Sequence, residues 1–84
     1  MIVRMWEAKA RSGTMADALS WVCEVALPTI EVDPQHVESE VFSSADNRIV
    51  VISRWRGTPV DMPEPPRRFI ERAGHTWDFS PVDR

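Results

Sequence analysis

The chain has 84 residues, of which 43% are hydrophobic and 27% are charged, and its formal net charge is −3. This length and balance predict one globular domain over residues 1–84, exclude a disordered chain, and argue against nucleic acid as a partner. The lone Cys23 excludes an internal disulfide. Because the sequence shows neither a leader pattern nor an apolar run of about 18 residues, we expect a cytoplasmic protein with no membrane partner.

The first third of the chain predicts a strand followed by a helix. Residues 2–8 (IVRMWEA) carry apolar side chains at both odd and even positions, which predicts a strand with neither face fully solvated. Thr14 and Asp17, three residues apart, form a capping-box pattern that predicts the start of a helix. Pro28 predicts that this helix ends or kinks near Leu27, because proline has no backbone N–H to donate. The predicted core stripe of the helix consists of Met15, Leu19, Val22, Cys23 and Ala26.

A β-hairpin follows, and its second strand is the most apolar part of the chain. Residues 49–52 (IVVI) form a run of β-branched side chains, which fits a strand covered on both faces. The preceding segment alternates apolar and polar residues, and the Ser-Ser-Ala-Asp-Asn sequence between them is typical of a turn. We therefore predict a hairpin with strands at roughly residues 36–43 and 47–56.

The last third predicts a stiff loop, a short helix and a closing strand. Four of the ten residues 57–66 are proline, which favours an extended loop. Residues 67–73 predict a helix with Phe69, Ile70 and Ala73 turned inward, ended by Gly74 as a C-cap. Residues 75–79 alternate His, Trp and Phe with polar residues, which predicts a final strand.

The order of these elements predicts a fold. Strand, helix, strand, strand, helix, strand is the ferredoxin-like βαββαβ arrangement, an α+β fold with a four-stranded antiparallel sheet. The crossover rule places strands one and three in the middle, with both helices on one face. Nothing in the chain is left to cover the other face of residues 49–52, so we expect a second copy to cover it. We therefore predict a homodimer that pairs sheet to sheet.

With these features the chain resembles the dimeric α/β-barrel superfamily, and within it the antibiotic-biosynthesis-monooxygenase-like proteins. The resemblance covers essentially the whole chain and rests on the element order, the length, the strand IVVISRW ending in Trp55, and the closing strand HTWDF. It implies a barrel made of two sheets, and in each monomer a pocket between sheet and helices. It also implies a small aromatic or polyketide-type ligand, which some members oxygenate without a cofactor.

The resemblance does not extend to heme. Heme-degrading members resemble one another in an Asn on strand one and a His on helix two. Trp6 stands about where that Asn would be, and the nearest histidine, His75, lies beyond the predicted helix. No pair among His36, His75 and Cys23 has the spacing of metal ligands either. We therefore expect neither a metal nor an organic cofactor.

Four residues are candidates for a substrate site. His75 lies beside aromatic residues, where an imidazole can act as a general base near neutral pH; alternatively it bonds a backbone carbonyl at the strand start. Trp6, Trp55 and Trp77 are either core and interface residues or the walls of a flat aromatic-binding pocket. If the resemblance holds, Trp55 points to the helices along with Ile49 and Val51, while Val50 and Ile52 face the partner.

Two arginines, Arg4 and Arg54, are the polar groups nearest these tryptophans in sequence. Either of them can bind a substrate phenolate or carboxylate. Alternatively each forms a structural salt bridge, for which Glu7, Glu38 or Asp78 can supply the carboxylate. The sequence leaves both roles open.

These observations support two hypotheses about function. One is a cofactor-free monooxygenase-like enzyme acting on an aromatic or polyketide-type substrate in a water-poor pocket. The other is a non-catalytic binding or interaction module of a biosynthetic or stress pathway. It is a dimer that carries a ligand or docks on a partner, and its Pro-rich loop over residues 58–66 is the exposed contact. An enclosed pocket touching His75 favours the enzyme, whereas tryptophans packed against one another favour the module.

Overall fold

The alternating segments pair into one antiparallel sheet. A computed structural model describes residues 1–84, and its strands are β1 (Ile2–Ala10), β2 (His36–Ser43), β3 (Arg48–Trp55) and β4 (Ile70–Phe79). Their order across the sheet is β2-β3-β1-β4, and every neighbouring pair is antiparallel. The predicted hairpin and the central positions of strands one and three are confirmed. This order is compatible with a ferredoxin-like fold.

A single helical segment covers one face of the sheet. It consists of α1 (Met15–Trp21), a π-helical turn (Val22–Ala26) and α2 (Leu27–Glu31), which follow one another without a break. In the π-helical turn the Leu27 N–H donates to the Val22 carbonyl, five residues back. This wider turn ends two residues before Pro28, where the regular bonding pattern would fail, and the helix continues past the proline to Glu31. Neither α1 nor α2 is long and apolar enough to cross a membrane.

The π-helical turn also changes which helix residues face the sheet. Cys23 is exposed, so the prediction that it lies in the core is wrong: the wider turn shifts the helical phase, and Leu27 takes the inward position. The predicted capping box is absent too, since the Thr14 hydroxyl lies 2.8 Å from the carbonyl of Arg11 and 2.9 Å from that of Phe69. The buried helix residues are Ala18, Val22, Ala26, Leu27 and Ile30.

The second predicted helix, at residues 67–73, is absent. The Ile70 N–H donates to the Arg67 carbonyl in a single turn, and the chain then enters β4, which is longer than the predicted strand at 75–79. Pairing of β4 with β1 along this length supplies backbone hydrogen bonds and side-chain packing that outweigh the local helical pattern. The domain therefore has one helix instead of two.

The Pro-rich loop takes part of the place of the missing helix. Pro65 is buried, and Val60 and Met62 pack against the core. The Arg4 guanidinium donates to the Asp61 carboxylate at 2.9 Å and to the Val60 carbonyl at 3.3 Å. These two hydrogen bonds hold the loop against β1. The loop is thus exposed at Thr58, Asp61 and Glu64 and partly buried at most of its apolar side chains, and its role as a contact stays a prediction.

The core lies between the helical segment and one face of the sheet. Trp55 and Ile49 are 0% exposed and Val51 is 1% exposed, which confirms that this side of β3 points to the helix. Val50 and Ile52 have the opposite alternation and lie on the uncovered face, as predicted. We call this uncovered face the open face of the sheet.

Candidate functional site

The six residues singled out from the sequence lie on both faces of the sheet. Residues paired across neighbouring strands share a face, so the strand register assigns each of them. The structure therefore brings His75 and Trp77 together but separates them from the other two tryptophans. The helix-covered face carries Trp6, Trp55 and Arg4, and the open face carries His75, Trp77 and Arg54.

Trp55 is a core residue whose polar atom is satisfied. Its indole Nε1 donates to the Ser53 hydroxyl at 2.8 Å, and the His36 ring packs edge-on against it with a centroid distance of 5.2 Å. The His36 Nε2 lies 2.7 Å from the Ser39 hydroxyl, which fixes the imidazole in turn. The indole therefore fills the interior, with no free polar edge for a ligand.

Trp6 owes its position to a glycine on the neighbouring strand. A Cβ atom built on Gly74 would lie 2.8 Å from Cε2 of the Trp6 indole, closer than such contacts occur, and would also overlap Nε1. Gly74 is therefore not a helix C-cap. It lies in β4, and its lack of a side chain allows the Trp6 indole to pack there with only 4% of the residue exposed.

Both arginines form ion pairs with carboxylates foreseen for them. The Asp78 carboxylate accepts from Arg4 Nε at 2.7 Å and from Nη2 at 2.9 Å, a bidentate pair. The hydrogen bond from Arg4 lowers the pKa of Asp78, and the bond to Asp78 raises the pKa of Arg4 despite its partial burial. Arg54 Nε lies 3.1 Å from the Glu38 carboxylate. The salt-bridge interpretation is confirmed for both arginines.

Two surface clefts flank the Pro-rich loop. One, of about 480 Å³, lies between the loop and the end of the helical segment and is lined in part by Thr29, Pro34 and Val60. The other, of about 570 Å³, lies between the loop and the start of β4, beside Arg11 and Ile70. Both open to solvent, and neither is lined by any of the six predicted site residues.

The open face carries a continuous apolar surface. In the strand register Ile52 of β3 lies beside Met5 of β1, which lies beside Trp77 of β4. The large exposed side chains Phe42, Trp77 and Phe79, with exposures of 48%, 43% and 53%, all lie on this face. We call this surface the apolar band. It crosses the sheet from edge to edge and consists of Phe42, Val50, Ile52, Val3, Met5, Trp77 and Phe79.

Charged groups border the apolar band on the open face, and Glu40 of β2, which is paired in register with Ile52, lies at the edge of the band between Phe42 and Glu38. At one corner Arg54 pairs with Glu38. At the other, Glu7 is bound by Arg72 and lies 3.5 Å from Arg48, so that its side chain is only 10% exposed. Sequence reasoning missed Glu7 as the centre of this group, because its partners come from β3 and from the part of β4 that was expected to be helical.

Beside Glu7 the open face carries a stacked pair of rings. The rings of His75 and Trp77 lie 5.9 Å apart between centroids with an interplanar angle of 24°. Both side chains are exposed, and His75 is paired in register with Glu7 on the neighbouring strand. This stack is the only place where residues predicted for the site contact one another on an accessible surface.

Comparisons of this chain with protein-family models, with curated proteins and with solved structures found no match. Membership of the dimeric α/β-barrel superfamily therefore stays a prediction, and the geometry of the fold alone indicates where a site can lie. The feature best suited to receive another molecule is the open face, with its apolar band, its stacked rings and its charged borders.

Proposed function

We propose that the protein is a homodimeric binding module whose two sheets pair through their open faces into a dimeric α/β barrel. The observation that carries this proposal is the apolar band on a face that no element of the chain covers. The molecule measures 40 × 28 × 16 Å, so it is a plate of two layers with a broad exposed side. A second copy supplies the third and fourth layers.

The size of the apolar band supports association. Phe42, Trp77 and Phe79 are each about half exposed, and covering the exposed half of such a ring removes roughly 100 Å² from water. For three rings in each of two copies this gives on the order of 15 kcal/mol of gross hydrophobic stabilisation. Association costs an estimated 4–15 kcal/mol, so these rings leave a net stabilisation of about 0–11 kcal/mol, a range that includes the roughly 8 kcal/mol of a micromolar dissociation constant.

A matched pair of substitutions tests the proposal. Val50→Asp places a carboxylate in the apolar band, whereas Val25→Asp makes the same change on the outer surface of the helical segment, where Val25 is 50% exposed. We expect a wild-type dimer in sedimentation equilibrium at micromolar concentration, a folded monomer for Val50→Asp, and a dimer for Val25→Asp. A monomeric wild-type protein contradicts the proposal.

A second candidate function, a cofactor-free monooxygenase-like enzyme, is favoured by the stacked His75 and Trp77 rings. In a sheet-to-sheet dimer this pair lies between the two sheets, where a planar phenol can stack on the indole and give its proton to the imidazole. The test is oxygen uptake with a tricyclic phenol as the probe. His75→Gln should abolish uptake while His36→Gln, at the only other histidine, retains it. No uptake by the wild-type protein contradicts this candidate for that substrate class.

A further inference from the structure

One group of charges lies on the open face next to the apolar band that the proposed dimer covers. Glu7 is in the middle of β1, and the guanidinium groups of Arg72 and Arg48 reach its carboxylate from the two neighbouring strands. We call these three residues the Glu7 network. The carboxylate is nearly buried, whereas the side chains of Arg48 and Arg72 are 46% and 47% exposed. The network therefore presents guanidinium groups to solvent just beyond the apolar band.

The charges at this end of the sheet are already matched within one chain. Arg48 also lies 3.2 Å from the Asp46 carboxylate, and Lys9 lies 3.5 Å from that of Glu71. The two arginines of the Glu7 network thus have two carboxylates between them, Glu7 and Asp46. A second molecule that covered this end would find no unpaired charge to neutralise, so covering it would remove water from the guanidinium groups with no compensating bond.

We propose that the Glu7 network sets the register in which a second copy docks, an inference that rests on the proposed function. Contacts within the apolar band are non-directional, so they alone do not distinguish one alignment of the two sheets from another. A copy displaced along the strands towards Arg48 and Arg72 would desolvate both guanidinium groups. The network is thus a specificity-determining group that disfavours wrong registers, and it adds little affinity of its own.

The exposed Cys23 allows the register to be measured directly. It is the only cysteine and lies on the helical segment, away from the open face, so a nitroxide attached there needs no other substitution. Double electron–electron resonance then reports the distance between the two labels of a dimer. We expect one narrow distance distribution for the wild-type network. For the triple variant Glu7→Leu, Arg48→Met, Arg72→Met we expect at least a twofold broader or multi-peaked distribution.

A second ion-pair network on the other face of the sheet provides the control. Arg4, Asp61 and Asp78 form a group of the same size that faces the helix and loop side. The variant Arg4→Met, Asp61→Asn, Asp78→Asn should keep the narrow distribution. Where the triple apolar variant does not fold, Glu7→Gln with Arg72→Gln keeps polar side chains at the same places and should still broaden the distribution.

The outcomes separate the inference from the proposal on which it rests. A wild-type dimer with the same narrow distribution in the Glu7 network variants overturns the register role and leaves the dimer standing. A broadened distribution in the Arg4 control variant also overturns it, because any loss of an ion-pair network would then loosen the dimer. An absence of dipolar coupling in the wild-type protein means a monomer, and this overturns the proposed function together with the inference.

Discussion

Replacing Trp55 and Trp77 by alanine should have opposite effects on folding and on association. The two residues are chemically identical, but Trp55 is 0% exposed beneath the helix whereas Trp77 is 43% exposed on the open face. Trp55→Ala should destabilise the fold and leave the open face unchanged. Trp77→Ala should leave the fold nearly as stable and weaken the dimer.

The magnitude for Trp55 follows from its burial. A fully buried indole removes about 150–250 Å² from water, which corresponds to roughly 4–6 kcal/mol as an upper estimate. Measured Trp→Ala changes in cores cost about 3–5 kcal/mol, since a cavity remains. The Ser53 hydroxyl, itself 3% exposed, also loses the donor that bonds it at 2.8 Å. A domain of this size has a free energy of unfolding of only about 4–13 kcal/mol, so this single change consumes much of it.

The assay is urea unfolding followed by circular dichroism, with sedimentation equilibrium on the same samples. To separate folding from association, unfolding is compared at several protein concentrations. Trp55→Phe keeps most of the ring and should cost less than Trp55→Ala, which covers the case in which the alanine variant does not fold. Unfolding of Trp55→Ala at the wild-type urea concentration would contradict the core role of Trp55, and so would an equal loss of monomer stability in Trp77→Ala and Trp55→Ala.

Three further predictions concern single residues. Because Arg4 lowers the pKa of Asp78, the pair contributes stability above pH about 4 that is lost as the pH falls through the lowered pKa. Asp78→Asn should therefore flatten the acid side of a stability–pH curve, and an unchanged curve would contradict the ion pair. Gly74→Ala should destabilise the fold by about 1–3 kcal/mol through overlap with the Trp6 indole, and Trp6→Phe should partly rescue it in thermal unfolding. Gly13→Ala should cost about 1–2 kcal/mol from its φ of 81° alone, since a Cβ there meets no atom within 4 Å; equal melting temperatures would refute this.

The sheet was the part of this fold that the sequence predicted best. An alternating strand followed by a short turn and a run of β-branched residues predicts that the two strands pair as a hairpin. The turn between them then fixes the register of that pairing. Alternation placed Trp55 on the same face as Ile49 and Val51, because residues two apart share a face, and the family resemblance implied that this face points to the helix. The sequence also predicted a set of carboxylates that could pair with Arg4 and Arg54, since a half-buried guanidinium requires a carboxylate.

The segment from residue 67 to residue 73 could not be predicted from its own sequence. Its apolar residues fit a helix turned inward, but they fit a strand equally well once β1 is available as a partner. The π-helical turn was equally hidden, because it results from the conflict between a proline and the packing of residues on both sides. Because of those two errors, Cys23 was expected in the core but is exposed, and Arg72 was expected in a helix but lies on the open face beside Glu7.

The loss of the second helix bears on function. A second helix packed on this sheet would bury more apolar surface within one chain. In this protein a Pro-rich loop covers part of the area where that helix would pack. The core holds only two of the four tryptophans. A chain of 84 residues with so small a core has little stability of its own. Pairing of the open faces would add to it, so folding and association would be linked and the free energy of unfolding would rise with protein concentration. A substitution in the apolar band should then lower the melting temperature at high protein concentration and have little effect at high dilution, whereas one beneath the helix should lower it at both.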